Sequence, residues 1–412
     1  MTANACCRLL AQAEILRTTG RPRQEAISGF LMRHSFFPKG LLAGLVALGA
    51  LAAAPAWANP SILFDLNTGR VLQHQDAFQR WHPASLTKLM TAYVTFRAID
   101  AGELTLQSPI KVTKKSAAEP PSKMGYKPGS VMTLDNALKM MLIKSANDIA
   151  YAVGENVGGT IPAFADRMNT EAARLGMTGS HFTNANGLHD PLNYTTAHDL
   201  AILVRAIRTE YPQYAPYFAI EGLSAGKKVL KSFNLLVGRY PGADGMKTGF
   251  VCASGFNMIG SATRNGHTLV AVVLGEKTAV SRAETAANLL NQGFATPDAG
   301  GATVATLPVY GNPTAAPLDI RDQICPKKPA ATAAAPSEDA GEQAATGPKS
   351  PYLEKLDHEP RLVAVGLGGA TGPVPKAFAA IAAQSYADVP IPTWRPDRPA
   401  PGGTLAAQGD SQ

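Results

Sequence analysis

From Ser85 onward apolar side chains recur at Leu86, Leu89, Met90, Tyr93 and Phe96. That is the three-and-four spacing of one helix face, and Pro83 just upstream predicts a helix opening near Ser85. Thr133 to Gly154 repeats the pattern with an interruption near Lys144-Ser145, and Ile161–Leu175 and Thr196–Arg208 read as amphipathic helices. Two-residue alternation marks the ends of this region instead. Ser61-Ile-Leu-Phe-Asp-Leu, the turn Asn67-Thr68-Gly69-Arg70 and Val71-Leu72 predict a hairpin. Gly249–Ile259 and Thr268–Leu274 read as strands, the second entered through Arg264-Asn265-Gly266, and Ala283–Phe294 reads as a closing helix. Strands at both ends with helices between predict an α+β fold whose first and last strands share one sheet.

The flanks have a different character. Leu41 to Ala54 is fourteen residues without a charge, preceded by Arg33, His34 and Lys39 and followed by Ala56-Trp57-Ala58. A basic segment, a short apolar core and an A-x-A site predict a secretory signal peptide over 1–58, cut after Ala58. The apolar run falls short of the ~20 residues a spanning helix needs, so an uncleaved anchor fits less well. Met32 is the expected true start, because residues 1–31 are too long for an ordinary leader. The patterned region 59–295 is the expected catalytic domain. Pro326 to Ser350 has no aromatic or large aliphatic residue, so 296–350 reads as an extension followed by a disordered linker. Residues 351–412 read as a weakly ordered tail. Within it Leu362-Val-Ala-Val and Ala377–Tyr386 are candidates for order, and Pro390–Pro399 is polyproline-like.

Charge and cysteine content narrow the function classes. The 412-residue chain has a net charge of +7, but residues 1–58 hold six basic and two acidic residues. The remainder carries 32 basic against 29 acidic residues and no basic block, which argues against nucleic acid as a partner. Cys6 and Cys7 would leave with the signal. Cys252 and Cys325 remain, as one disulfide in an oxidising compartment or as two free thiols.

Three short motifs carry candidate chemistry: Ser85-Leu86-Thr87-Lys88, Ser145-Ala146-Asn147 and Lys247-Thr248-Gly249. Each is weak alone, and decoys exist at Ser108–Lys111, Ser224–Lys227 and Ser232-Phe233-Asn234. Context separates them. Ser85 opens a strongly patterned helix, so Lys88 follows on the same face one turn in. A serine hydroxyl is a weak nucleophile until a neighbour takes its proton, and a lysine does so only when burial or nearby cations favour its neutral form. Lys247 supplies a second cation, and Ser145 stands as a relay between the two. A strand carrying Thr248-Gly249 lets a substrate lie edge-on, with Gly249 removing the side chain that would block it.

Together these motifs identify a resemblance to the serine D-alanyl-D-alanine carboxypeptidases, the low-molecular-weight penicillin-binding proteins. The resemblance covers about Asn59 to Phe294. It extends to Ser122-Lys123-Met124-Gly125, Leu175-Gly176-Met177, Phe182-Thr183-Asn184 with Gly187-Leu188, and Asp244-Gly245-Met246. It implies a β-lactamase/transpeptidase-like antiparallel sheet with helices on both sides. It also implies Ser85 as acylated nucleophile, Lys88 as general base, Ser145 as proton shuttle and Asn147 as a hydrogen-bond partner of the peptide. Lys247 and Thr248 would face the substrate's terminal carboxylate with help from Arg282, and the backbone N–H groups of Ser85 and Phe250 would hold the oxyanion. No cofactor or metal is implied. The implied partners are peptidoglycan stem peptides, with β-lactams as inhibitors, in the periplasm or cell envelope of the exported protein. The implied roles are cell-wall biosynthesis and cell shape. Many relatives add a compact β-domain and an amphipathic membrane helix, and neither is legible here, so a membrane tether does not carry over.

Other readings fit less well. A D,D-endopeptidase acting on cross-links would use the same residues. A β-lactamase must hydrolyse its acyl-enzyme quickly, often through an added carboxylate, and Glu155 and Glu171 lie in helical patterns outside any recognisable catalytic loop. A zinc peptidase built from His181, His189, Asp190 and His198 lacks ligand spacing. A non-catalytic wall-binding protein would have no need of all four of Ser85, Lys88, Asn147 and Lys247.

Overall fold

A computed structural model describes residues 59–296, 300–325, 350–353, 356 and 358–377. The signal peptide, the Pro326–Ser350 linker apart from its last residue, most of Ala377–Tyr386 and the polyproline-like stretch lie outside the described residues. The described residues form, in chain order, the strands β1 (Ser61–Asp65), β2 (Val71–Gln75), β3 (Pro109–Lys111), β4 (Val131–Thr133), β5 (Gly222–Ala225), β6 (Lys228–Lys231), β7 (Ala243–Val251), β8 (Gly255–Arg264), β9 (His267–Glu276) and β10 (Leu362–Ala364). The main sheet has the order β2-β1-β9-β8-β7, antiparallel throughout, so the first strand pairs with the last long one, Phe64 opposite Val270.

Side chains alternate across a strand, and here both faces are apolar. Along β9, Val270, Val272 and Leu274 join one core, while Leu269, Ala271 and Val273 join another. The second core closes against Ala283, Ala286, Ala287 and Leu290 of the helix Ala279–Ala295. The first closes against a helical layer around Thr87–Asp100, where 11 of 14 residues are buried, as expected of a helix enclosed on all sides. Neighbouring helices are started by hydroxyl caps. Thr133, Thr160, Thr196 and Thr278 each accept the backbone N–H three residues on.

One reading is corrected by the geometry. The run Gly249–Ile259 is not one strand but the end of β7, a turn at Cys252–Ser254 and the start of β8. Its turn residues are small and uncharged, so no hydrophobicity break marks the reversal. The helix at Ser85 begins with a 3₁₀ turn, Ala84–Leu86, before the α-helix Thr87–Asp100. The interruption at Lys144-Ser145 is real: helices Leu134–Ile143 and Asn147–Gly158 are separated by Ser145 in the left-handed region at φ 59°.

Beyond Ala295 the chain returns to the domain. Val304 N donates to Gly69 O, Ile320 N donates to Ala253 O, and Cys252 and Cys325 form a disulfide across 73 residues of sequence. The disulfide pins this extension to the turn that follows β7. Farther on, β10 pairs parallel to β5, beside the β5–β6 hairpin. Gly368 N then donates to Val131 O and Gly372 N to Gln107 O. A segment with few large apolar residues is thus held mainly by backbone pairing, which composition does not register. Among the described residues no helix is long and apolar enough to cross a membrane.

Candidate active site

Ser85 sits in the 3₁₀ turn, directly after Ala84, whose φ of 50° is left-handed without being glycine. Such backbone persists only where surroundings enforce it. Asn257, buried on β8, donates to His82 O at 3.0 Å and Pro83 O at 3.2 Å, and its Oδ1 accepts from Gly275 N. One amide thus ties the segment entering the turn to two sheet strands. On the opposite side Gly187, at φ 82°, lies so close that a Cβ there would stand 1.8 Å from Ala84 O.

Lys88 follows one turn into the helix and is fully buried at 0% exposure. Its Nζ lies 2.9 Å from Ser85 Oγ, 2.8 Å from Asn147 Oδ1 and 2.7 Å from Asn186 O. Asn147 is the first residue of the helix after the Ser145 break, and its Nδ2 donates to Pro120 O at 3.0 Å. Asp148 beside it accepts from Met124 N and Gly125 N, which shapes the Ser122–Gly125 loop. Ser145 and Lys247 form the second pair: Lys247 Nζ, 2% exposed, donates to Ser145 Oγ at 2.9 Å and to Thr248 O at 2.7 Å.

β7 delivers Lys247, Thr248, Gly249 and Phe250 alongside the serine turn. A Cβ on Gly249 would meet Pro83 O and Ser85 N at 3.0 Å and Leu86 N at 3.1 Å, so strand and turn touch because the residue is glycine. Phe250 is half-buried and packs against Phe256, the ring planes tilted by 34° and their centroids 4.3 Å apart. Arg282 is 1% exposed and donates to Gly249 O at 3.2 Å and Asn257 O at 3.3 Å. Both carbonyls lie on the strands that carry the site, and the guanidinium also lies over the Phe256 ring at 5.4 Å.

The structure therefore gathers Ser85, Lys88 and Asn147 in one cluster, joins Lys247 to Ser145 in another, and lays Gly249 against the serine turn. Asn186 and Asn257 were not singled out from sequence. Their signal is positional only, since an asparagine acting through its backbone oxygen or as a clamp between strands leaves no motif. The other candidates are occupied elsewhere. Glu155 accepts from Thr113 Oγ1 at 2.6 Å, and Glu171 pairs with Arg97 and Arg174. His181 is bonded to Leu192 O, His198 to Val304 O and His189 to Arg321, and Asp190 accepts from Leu192 N. Among the described residues no group of three or more His, Cys, Asp or Glu side chains is placed to hold a metal ion.

Comparison with known proteins decides the family. The profile described as D-alanyl-D-alanine carboxypeptidase matches residues 50–278, which include all three motifs. The chain belongs to the D-alanyl-D-alanine carboxypeptidase family. It is a serine carboxypeptidase of the low-molecular-weight penicillin-binding class. The family's D-alanyl-D-alanine carboxypeptidase DacC of Escherichia coli is 33% identical over 288 residues, 64% of this chain and 70% of that protein. DacD of Salmonella typhimurium is 34% identical over 253 residues, 59% of this chain and 64% of its own length. Part of each relative thus lies outside the match. Penicillin-binding protein D2 of Listeria monocytogenes, solved in an ampicillin-bound form, superposes with a TM-score of 0.53 at 29% identity. That superposition covers 57% of this chain and 97% of the Listeria chain. The family fold agrees with the α+β expectation of an antiparallel sheet between helical layers.

Proposed function

We propose that Ser85 is the nucleophile of a D-Ala-D-Ala carboxypeptidase acting on peptidoglycan stem peptides, and that β-lactams acylate the same oxygen. The observation carrying this reading is the fully buried Lys88 amine 2.9 Å from Ser85 Oγ. A neutral amine has two hydrogens and one lone pair. With the hydrogens given to Asn147 Oδ1 and Asn186 O, the lone pair faces the Ser85 hydroxyl. Burial disfavours the charged form and supports that state.

The reaction is an acyl transfer. Ser85 Oγ bonds to the carbonyl carbon of the penultimate D-Ala while its proton passes to Lys88. Negative charge collects on the carbonyl oxygen between the backbone N–H groups of Ser85 and Phe250. The C–N bond then breaks as Ser145 gives its hydroxyl proton to the leaving amine, and the proton that Lys88 took from Ser85 replaces it, so that Lys88 is neutral again and Lys247 keeps its charge. Thr248 and the Lys247 cation face the terminal carboxylate, and Asn147 holds the peptide. Water later cleaves the Ser85 ester and releases the shortened peptide.

Export through the 1–58 signal to the periplasm or envelope is part of this proposal. It is supported by the Cys252–Cys325 disulfide, which persists in oxidising compartments. A domain boundary near residue 295 is proposed on the same footing, with the extension beyond it serving to brace β7.

The substrate test is release of free D-alanine. Purified 59–412 protein is given a pentapeptide ending in D-Ala-D-Ala and, separately, a cross-linked muropeptide dimer. Turnover of the pentapeptide at least tenfold faster than of the dimer is expected. Faster cleavage of the dimer would make the chain an endopeptidase instead.

A further inference from the structure

We propose that Glu119 is a positioning residue for Lys88, acting through Asn186 to aim the amine at Ser85 and to set the pH below which acylation fails. The inference rests on the acylation chemistry proposed above. Asn186 is 2% exposed and works from two ends. Its backbone oxygen accepts from Lys88 Nζ at 2.7 Å, and its side-chain Nδ2 donates to Glu119 Oε2 at 2.7 Å. Its Oδ1 accepts from Leu188 N at 3.0 Å, so the amide orientation is fixed by both groups. Glu119 is therefore one residue removed from the general base, at the start of the same loop that carries Pro120 O, the acceptor for Asn147. Of the two side-chain contacts that hold the Asn186 amide, it is the charged one.

Charge matters as much as position. Glu119 is half-buried, and burial raises its carboxyl above the ordinary range, with the Asn186 hydrogen bond and Lys88 opposing that rise. Water screens its field poorly there. The groups facing it are Lys88 from the serine helix, Asp148, Tyr151 and Glu155 from the helix Asn147–Gly158, and Asn186 from the loop before Gly187. Lys115 acts on Glu155 from the preceding short helix. Asp148 and Glu155 are carboxylates held by other groups: Asp148 by backbone N–H of the Ser122–Gly125 loop, Glu155 by Thr113. An ionised Glu119 favours the ammonium form of Lys88, which is the wrong form for a base. Its removal must therefore extend acylation to lower pH.

The experiment measures the acylation rate with a fluorescent penicillin across about pH 5 to 9 for four proteins besides wild type, with circular dichroism on each to establish folding. Glu119→Gln keeps an acceptor for Asn186 and loses the charge. It is expected to hold the plateau rate within about twofold and to move the acid limb to lower pH by up to about one pH unit. Glu119→Ala loses both features and is expected to drop the plateau about tenfold, because a base misaimed by a fraction of an ångström is a poor one. Asn186→Ala is expected to match Glu119→Ala, and the double variant is expected to be no worse than either single one. An unchanged plateau in Glu119→Ala, additive losses in the double variant, or an unmoved acid limb in Glu119→Gln would each overturn the proposal. Absence of any adduct in the wild type would instead count against Ser85 as nucleophile, and so is distinguishable from failure at Glu119.

Discussion

Replacing Lys88 with alanine is expected to slow acylation of Ser85 by about three orders of magnitude while the protein still folds. Ser85 Oγ lies within 3 Å of Lys88 Nζ, and that amine is sealed from water. Without it the hydroxyl proton has no positioned acceptor, and a serine at its ordinary pKa is almost wholly protonated near neutrality. Arginine does not substitute. Its guanidinium is always charged and has no lone pair to offer, so Lys88→Arg is expected to be as slow as Lys88→Ala despite keeping the positive charge. Stopped-flow acylation with a chromogenic cephalosporin measures both variants. A Lys88→Ala rate within tenfold of wild type would remove Lys88 from the base role and place the proton acceptor elsewhere, with Lys247 acting through Ser145 the next candidate.

Gly187→Ala is expected to damage the fold and the site together. The added methyl would overlap Ala84 O at 1.8 Å, a backbone atom that cannot swing aside, and would stand 2.9 Å from Thr87 Oγ1. The residue is also held at φ 82°, where an L side chain costs about 1–2 kcal/mol before any clash is counted. With overpacking added, the total is about 3 kcal/mol or more, a fall in Tm of about 6–10 °C for a domain of this size. The atom pushed away is the carbonyl next to Ser85, so acylation of the surviving folded protein is expected to slow at least tenfold. Thermal unfolding and the acylation rate are read on the same sample. A Tm within 2 °C of wild type would mean that the loop around Gly187 yields easily and does not support the serine turn.

Much of this architecture was legible in the sequence because each element obeys one simple periodicity. The helices 161–175 and 197–210 alternate apolar and polar faces, and β1 and β9 are rich in β-branched and aliphatic residues and entered or left through turns. The reversal at Cys252–Ser254 was hidden because small apolar residues run through it. The tail strand β10 was visible only as the weak candidate Leu362-Val-Ala-Val, since its order comes from backbone pairing with β5. At the site the motifs pointed to Ser85, Lys88, Ser145, Asn147 and Lys247, because a nucleophile and its base need fixed residue types at fixed spacing. Asn186, Asn257 and Glu119 escaped. Their contacts to Glu119, Lys88 and the serine turn span 67 to 175 positions of sequence by backbone oxygens and amide clamps, and neither leaves a local pattern. Arg282 came only from the family resemblance, and its buried guanidinium is bonded to carbonyls of β7 and β8.

The central claim is that one serine oxygen, Ser85 Oγ, becomes covalently acylated. Intact mass spectrometry of the 59–412 protein after incubation with benzylpenicillin, followed by peptide mapping, tests it most directly. A single stable adduct of one antibiotic per chain, carried by the peptide containing Ser85 and absent from Ser85→Ala, is the expected result. An adduct that persists in Ser85→Ala, or antibiotic turnover with no adduct in the wild type, would contradict it.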